Sequence, residues 1–233
     1  MGEIIAVGNQ KGGVSKTTTV ETLGAALALE GQRVLLVDYD PQRSLTLALT
    51  DGEGLSGDIV TIETRGGITY DLLTGDEMLA ARDFKALDEL AGVLNPLRAA
   101  YDWIIIDTPP SLGKLSLNAM YPADRVIVPT IPHFLAVAGI AELYESVGTL
   151  RRDGSPIRDV TILITQWERN GAVREMERQI RDAYPTFETS IRRNVAIAHA
   201  QAAGVDVYSF DARSNAAQDY KKLARELLAT RQQ

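Results

Sequence analysis

The sequence predicts an α/β fold in which a doubly wound, mostly parallel β-sheet is flanked by helices. Five short apolar runs alternate with helix-like segments, and such alternation is typical of βαβ units. The runs are continuously apolar and rich in β-branched residues, as expected of parallel strands that are buried on both faces. The predicted strands are residues 4–7, 34–37, 104–106, 126–128 and 160–164.

Helix-like patterns fill the segments between and after these runs. The predicted helices lie at about residues 17–30, 84–99, 113–121, 135–152, 171–184 and 214–230. Gly31 ends the first of them in the manner of a glycine cap. Residues 51–70 are glycine-rich and predict an irregular surface excursion with a short hairpin around Gly66-Gly67. No linker or repeat divides the chain, so we interpret residues 1–233 as a single domain.

Composition narrows the classes of function. The chain has 233 residues, a net charge of -7 and no cysteine, which excludes disulfides, thiolate metal sites and iron–sulfur clusters. No apolar run approaches the ~20 residues that span a bilayer, and the N-terminus lacks a signal-type segment. We therefore expect a cytoplasmic protein. Any contact with DNA must come from a local basic patch and depend on salt, because the chain as a whole is acidic.

A glycine-containing loop between the first strand and the first helix is the strongest functional signal. Strand, loop and helix form the context in which backbone amides cradle phosphates. In such a loop Lys16 binds the β- and γ-phosphates and Thr17 offers its hydroxyl to Mg²⁺. The strict pattern G-x-x-x-x-G-K-[ST] is not met, because Gln10 and Ser15 replace its glycines. The predicted nucleotide-binding residues are Lys11, Gly12, Gly13, Val14, Ser15, Lys16, Thr17 and Thr18.

Acidic residues follow two other predicted strands. Asp38 and Asp40 come after the second strand, and Asp107 ends the third. Side chains at the carboxyl ends of parallel strands line the ligand crevice. We predict that Thr17, Asp38 and Asp107 hold Mg²⁺ and its waters, and that a carboxylate orients the attacking water. Each motif alone also fits an ordinary turn, but the three together are a strong signal.

These motifs together resemble the ParA/MinD group of deviant Walker A ATPases, within the phosphate-loop NTPases. The resemblance is strongest to ParA-type (Soj-like) DNA-partition ATPases and extends over nearly the whole chain. The stretches that carry it are Gly8–Thr18, Asp38-Tyr-Asp-Pro-Gln, Ile106-Asp-Thr-Pro-Pro, Ser190-Ile-Arg-Arg-Asn-Val, Ala200-Gln-Ala-Ala-Gly and Phe210-Asp-Ala-Arg-Ser-Asn-Ala-Ala.

The resemblance implies a slow, Mg²⁺-dependent ATPase that works as a dimerisation switch. In the family, the lysine that matches Lys11 reaches the nucleotide of the partner subunit, so two ATP molecules are sandwiched in a homodimer. The aspartate that matches Asp40 is tied to hydrolysis, which implies a water-positioning role. The implied catalytic residues are therefore Lys11, Lys16 and Asp40.

The resemblance also implies partners. ParA-type dimers bind double-stranded DNA without sequence preference, and the matching basic positions are Arg192, Arg193 and Arg213, with Lys221 and Lys222 as weaker candidates. The arginine pair also fits a solvated turn. A ParB-like activator and a nucleoid-associated location are implied. No N-terminal helix-turn-helix is expected. The last helix lacks the Trp or Phe on a Lys/Arg-rich amphipathic helix that a membrane anchor needs, so we expect no membrane binding.

Three functions remain open from the sequence. The leading one is a partition ATPase for a plasmid or chromosome. The second is a ParA-like or MinD-like ATPase that positions a protein assembly. The third is a metabolic phosphate-loop enzyme, which leaves Lys11 unexplained. Ser15 departs from the family glycine and requires a compatible backbone conformation. His133 and His199 are isolated in sequence, and we interpret both as packing residues.

Overall fold

A seven-stranded sheet forms the centre of the computed structural model, which describes residues 1–50, 52, 55–111 and 113–231. The strands are β1 (Glu3–Val7), β2 (Val34–Asp38), β3 (Ile59–Glu63), β4 (Thr69–Leu73), β5 (Trp103–Asp107), β6 (Arg125–Thr130) and β7 (Asp159–Ile164). Their order in the sheet is β3-β4-β2-β5-β1-β6-β7, and among these seven strands only β3 runs antiparallel to its neighbour. The doubly wound, mostly parallel sheet predicted above is confirmed.

Strand register brings the predicted site residues to one edge of the sheet. Asp107 at the end of β5 lies opposite Val7 of β1 on one side and Asp38 of β2 on the other. The carboxyl ends of these three neighbouring strands therefore coincide. In an open parallel sheet this edge is where ligands bind.

Helices cover both faces of the sheet. The helices are α1 (Lys16–Leu29), α2 (Ser44–Leu49), α3 (Glu89–Leu94), α4 (Lys114–Met120), α5 (Ala136–Arg152), α6 (Gly171–Ala183), α7 (Val195–Ala202), α8 (Val207–Asp211) and α9 (Asn215–Arg231). One core contains Ile5, Leu36 and Ile105 with residues of α1 and α9, and the other contains Ile4, Leu35 and Ile104 with residues of α4 and α5. Consecutive strand residues face opposite layers, which explains why the strands are continuously apolar.

The glycine-rich segment 51–70 differs in part from its prediction. The hairpin around Gly66-Gly67 is confirmed, with Gly67 at a φ of 76° in its turn. The expectation of an irregular excursion was wrong, since β3 and β4 extend the sheet and β4 pairs with β2. Burial of Tyr70 and Leu72 on alternate positions of β4 supplies the driving force. Residues 51, 53 and 54 of the segment lie outside the described residues.

The helix predicted at 84–99 was wrong in extent. It is divided into α3 and a 3₁₀ turn, Asn95–Ala99. Pro96 lies at the start of that turn, and its lack of an N–H breaks the α-helical hydrogen-bond pattern. The short helices α2, α7 and α8 were not predicted. None of the helices in the described residues is long and apolar enough to cross a membrane.

Candidate nucleotide-binding site

The loop between β1 and α1 leads into a helix N-terminus that has no side-chain cap, and its glycines face open space. Gly13 and Ser15 both adopt left-handed conformations, with φ of 73° and 71°. Ser15 stands at the N-cap of α1 without capping it through its side chain, so no side chain competes there for the first-turn amides. A Cβ at Gly12 or Gly13 would meet no atom within 4 Å. An uncapped N-terminus of a fourteen-residue helix is suited to binding an anion.

Lys16 is held inside the loop beside two carboxylates. Its side chain is 8% exposed, and Nζ lies 3.4 Å from the backbone oxygen of Lys11. Burial lowers the pKa of Lys16, while the charges of Asp107 and Asp40 raise it and limit the shift. The ammonium is therefore enclosed by the loop that would surround a phosphate.

Asp107 is the most deeply buried acid of the site. It is 0% exposed and accepts a hydrogen bond of 2.7 Å from the hydroxyl of Thr17. Burial raises the pKa of Asp107 to about 7, and the hydrogen bond from Thr17 opposes this shift. Its other oxygen, Oδ1, is buried and accepts no hydrogen bond from the described residues. A buried, unpartnered carboxylate oxygen beside a threonine hydroxyl fits a hard cation such as Mg²⁺.

Asp38 makes contacts that the sequence did not predict. Its Oδ2 accepts hydrogen bonds of 2.8 and 2.7 Å from the amide and hydroxyl of Thr46, and its Oδ1 lies 3.3 Å from the amide of Asp40. Asp38 therefore fixes the start of α2 to the end of β2. Burial raises its pKa against these hydrogen bonds. Its predicted role as a metal ligand stays a prediction, and Thr17 and Asp107 fit that role better.

Asp40 lies nearer to solvent than Asp38 and beside the loop. It is 9% exposed, and its Oδ1 accepts a hydrogen bond of 2.9 Å from the amide of Gln42. This bond orients the carboxylate through a turn that Pro41 helps to define. Among the described residues, no cluster of three or more histidine, aspartate or glutamate side chains forms an all-protein metal site. A Mg²⁺ ion that is shared with phosphates needs only one or two protein ligands.

Lys11 lies on the exposed side of the loop, away from the buried position of Lys16. Its Nζ is 2.5 Å from Nε2 of His133, whose Nδ1 accepts a hydrogen bond of 3.0 Å from the amide of Leu135. Burial and the charge of Lys11 lower the pKa of His133. His133 therefore touches a predicted catalytic lysine, and its interpretation as a packing residue stays a prediction. Phe134 and Leu135 next to it are 85% and 66% exposed.

Residues after β7 form the far wall of the loop. The hydroxyl of Thr165 donates to the Val14 carbonyl at 3.1 Å, and Gln166 Nε2 lies 2.9 Å from the Gly13 carbonyl. A cavity of about 200 Å³ adjoins this wall. It is lined by Ser15, Thr18, Gln166, Ile191, Arg192, Arg193, Asn194, Ile197, Ala198, Gln201 and Tyr220. A larger open depression of about 510 Å³ lies elsewhere, between residues 181 and 188, and includes none of these side chains.

The three arginines predicted to bind DNA differ in their surroundings. Arg192 is bound by the carboxylate of Asp219, itself 3% exposed, through two side-chain hydrogen bonds of 2.8 and 2.7 Å. Arg193 is exposed and forms an ion pair of 2.8 Å with Glu168. Arg213 is exposed after α8. The DNA role of Arg192 stays a prediction, but its ion pair argues for a structural role.

Two polar residues that contact the loop were not assigned to the site from the sequence. Gln166 follows the end of β7, and His133, which was interpreted as a packing residue, follows the end of β6. The rule that selected Asp38 and Asp107 applies equally to polar residues after these strands. Thr46 carries no such signal, because its contact with Asp38 depends on α2.

Comparison with known proteins agrees with this geometry. The CobQ/CobB/MinD/ParA nucleotide binding domain family matches residues 5–207. The chromosome-partitioning ATPase Soj of Thermus thermophilus is 36% identical, covering 97% of this chain and 95% of its own length. The sporulation initiation inhibitor protein Soj of Bacillus subtilis is 33% identical, covering 98% and 99%.

A solved structure with bound ligands is similar over the same length. It is described as cobyrinic acid a,c-diamide synthase from Mycobacterium smegmatis with bound ADP and magnesium. It has a TM-score of 0.82 and 32% identity, and the match covers 100% of this chain and 96% of that one. The chain therefore belongs to the CobQ/CobB/MinD/ParA family of nucleotide-binding domains and is similar over nearly its whole length to Soj-type partition ATPases.

Proposed function

We propose that this protein is a ParA-type ATPase of plasmid or chromosome partition. ATP and Mg²⁺ drive it into a homodimer, the dimer binds double-stranded DNA without sequence preference, and hydrolysis is slow until a ParB-like partner stimulates it. The observation that carries the proposal is the placement of two lysines on one loop. Lys16 is buried among carboxylates, whereas Lys11 is exposed on the outer side.

The loop supplies the groups that phosphoryl transfer requires. The amides after Gly12 and the ammonium of Lys16 bind the phosphates, and Thr17 with Asp107 would hold Mg²⁺. The ion supplies charge neutralisation on the phosphate oxygens when bound. Asp40 orients the attacking water through the carboxylate that the Gln42 amide holds in place. The cavity beside Ser15 and Thr18 is the place for the rest of the nucleotide.

We assign to Lys11 the contact with the nucleotide that the partner subunit binds. An exposed lysine contributes little to its own buried site, but it is placed to neutralise phosphate charge across an interface, as an arginine finger does. Nζ of Lys11 lies 2.5 Å from Nε2 of His133 at the edge of the loop, next to exposed apolar residues.

Replacing Lys11 by alanine is expected to prevent nucleotide-dependent dimerisation and to leave nucleotide binding by the monomer within about threefold, because an exposed lysine contributes little to its own site. Light scattering with a non-hydrolysable ATP analogue and Mg²⁺ gives the oligomeric state, and fluorescence titration gives the affinity. Lys222→Ala, an exposed lysine on α9, is the control. A wild-type protein that stays monomeric with the analogue would refute the sandwich dimer.

The DNA-binding surface that we propose centres on Arg193 and Arg213. Both are exposed, and Arg193 follows Arg192 on a segment that is tied to the wall of the nucleotide site, since its amide donates to the Trp167 carbonyl at 3.1 Å. The ion pair with Glu168 is exposed and therefore weak, so DNA phosphates can replace it.

The Arg193→Ala variant is expected to bind arbitrary duplex DNA about tenfold more weakly at low salt and to lose about one unit of the log-affinity against log-salt slope. Gel shifts on random duplexes with ATP, ADP and no nucleotide make the measurement. Arg178→Ala is the matched control, because Arg178 is also exposed and also paired with a glutamate. An equal loss of DNA affinity in the Arg193→Ala and Arg178→Ala variants would show that the net charge of the protein, and not this surface, determines the affinity.

The other functions make different predictions for the same experiment. A positioning ATPase for a protein cargo also binds DNA with ATP, so the partner distinguishes it from a partition ATPase. A metabolic enzyme is favoured by the synthase name of the Mycobacterium smegmatis structure. That function predicts an ATP-binding monomer without DNA affinity. For the leading function we also propose a single domain over residues 1–233 and a cytoplasmic, nucleoid-associated location.

A further inference from the structure

Ser15 has a backbone conformation that is unfavourable for a residue with a side chain. Its φ is 71° and its ψ is 35°, in the left-handed region that favours glycine. A non-glycine residue costs roughly 1–2 kcal/mol there, so neighbouring contacts must hold it. The residue lies directly before Lys16, and its conformation sets the direction of the first amides of α1. The arrangement of the amides in the phosphate loop therefore depends on the contacts that hold Ser15.

Gln166 supplies the contacts that hold it. Its side-chain Nε2 donates to the Gly13 carbonyl at 2.9 Å and lies 3.2 Å from the hydroxyl oxygen of Ser15. An amide nitrogen has two hydrogens, so both bonds form at once. The hydrogen bond from Gln166 fixes the direction of the Gly13 carbonyl. The N–H of Val14 belongs to the same peptide plane and points the opposite way, so its direction is fixed as well. The bonds thus select one arrangement of the loop amides.

The platform under Gln166 is itself fixed. The amide of Thr165 donates to the Thr130 carbonyl, its hydroxyl donates to the Val14 carbonyl, and the amide of Trp167 donates to the Ile191 carbonyl. Gln166 also has a φ of 50°, so two non-glycine residues in left-handed conformations face each other across this contact. Strained backbone conformations in both residues of one side-chain contact, beside a binding loop, are typical of a functional constraint.

We propose that Gln166 is a positioning residue for the phosphate loop, acting through Gly13 and Ser15 to hold the loop ready for the nucleotide before it binds. The inference rests on the proposed function for its ligand, ATP. Preorganisation of this kind raises affinity because the loop loses no further freedom on binding. Glycine at position 15 would adopt the same conformation without help, so the serine creates the need for Gln166.

A double-mutant cycle tests the proposal with Gln166→Ala, Ser15→Gly and both together. Two readouts are used: hydrogen exchange of the amides of residues 12–18 without nucleotide, and the Kd for ATP with Mg²⁺ from fluorescence titration. Gln166→Ala is expected to speed exchange in the loop and to raise the Kd about tenfold, as expected for the loss of two neutral hydrogen bonds. Gln179→Ala, an exposed glutamine on α6, is the control and should change neither.

The Ser15→Gly substitution distinguishes a positioning role of Gln166 from a general packing role. In the Ser15→Gly background, Gln166→Ala is expected to raise the Kd less than threefold, a non-additive result. Thermal unfolding confirms that each variant is folded. Equal effects of Gln166→Ala in both backgrounds, or unchanged loop exchange, overturn the proposal. A wild-type protein without ATP affinity refutes the proposed function instead, and the exchange data still test the contact.

Discussion

Replacing Lys16 by methionine is expected to weaken ATP binding by at least about 100-fold, the scale found when a charged group aimed at a phosphate or oxyanion is removed. Methionine keeps much of the buried chain of Lys16, which is 8% exposed, so the loop should still fold. The variant removes the positive charge that faces Asp107 and Asp40 and leaves these carboxylates to repel the phosphates. Titration with a fluorescent ATP analogue makes the measurement.

Two further variants sharpen this prediction. Lys222→Met, an exposed lysine on α9, should bind ATP as the wild type does. Lys16→Arg keeps the charge, but it should not restore affinity, because the enclosed site beside the Lys11 carbonyl fits an ammonium and not a wider guanidinium. Lys16→Met with near-normal affinity would show that the loop does not bind phosphate.

Asp107→Asn is expected to remove much of the pH dependence of stability in the metal-free protein. Burial raises the pKa of Asp107 to about 7, well above the ordinary value near 3.8 of an aspartate, so the folded protein holds a proton that the unfolded chain releases between these values. Its favourable contribution is present below pH 4 and is lost as the pH rises through 7. A shift of this size corresponds to an upper limit on the order of 4 kcal/mol.

Urea denaturation with EDTA at pH 5, 6, 7 and 8 makes this measurement. The free energy of unfolding of the wild type should fall across the series, and that of Asp107→Asn should fall less. Buried Glu21 also has a pKa raised to about 7, so the difference between the two proteins, not the wild-type slope, isolates Asp107. Exposed Asp182 on α6 provides the control variant Asp182→Asn. Parallel curves would contradict the shift.

Binding of Mg²⁺ should favour the ionised form of Asp107 over the protonated form. When Mg²⁺ is bound with nucleotide, the ionised carboxylate is favoured, so the wild type gains stability at pH 8. Asp107→Asn should gain much less, because an amide oxygen is a weaker ligand than a carboxylate. Asp107 thus lowers stability at pH 8 without Mg²⁺ and contributes to binding when the ion is present.

The strands and the phosphate loop could be predicted from the sequence because their signals are local. Continuous apolar runs identify buried parallel strands, and the glycines and Lys16 follow one of them directly. The strand ending at Asp107 was located for the same reason. Each of these signals is contained in a few consecutive residues, so no knowledge of distant contacts was needed.

Other elements were mispredicted because their stability depends on distant partners. β4 carries the polar residues Thr69 and Asp71 and is a strand because it pairs with β2 on one side and β3 on the other. The short helix α2 is fixed by hydrogen bonds from Thr46 to Asp38. Local propensity is weak in segments this short, and tertiary contacts decide their conformation.

The sheet class, the phosphate loop and the acidic residues at the strand ends follow from the sequence alone, since each is a local pattern. Which of these groups are engaged by other side chains is visible only in the fold. There Asp38 accepts hydrogen bonds from Thr46, Arg192 pairs with Asp219, and Oδ1 of Asp107 accepts no hydrogen bond from the described residues. His133 lies against Lys11 and Gln166 lies against Ser15. These partners are far apart along the chain, and Gln166 and Ser15 meet only because β7 and β1 belong to one sheet.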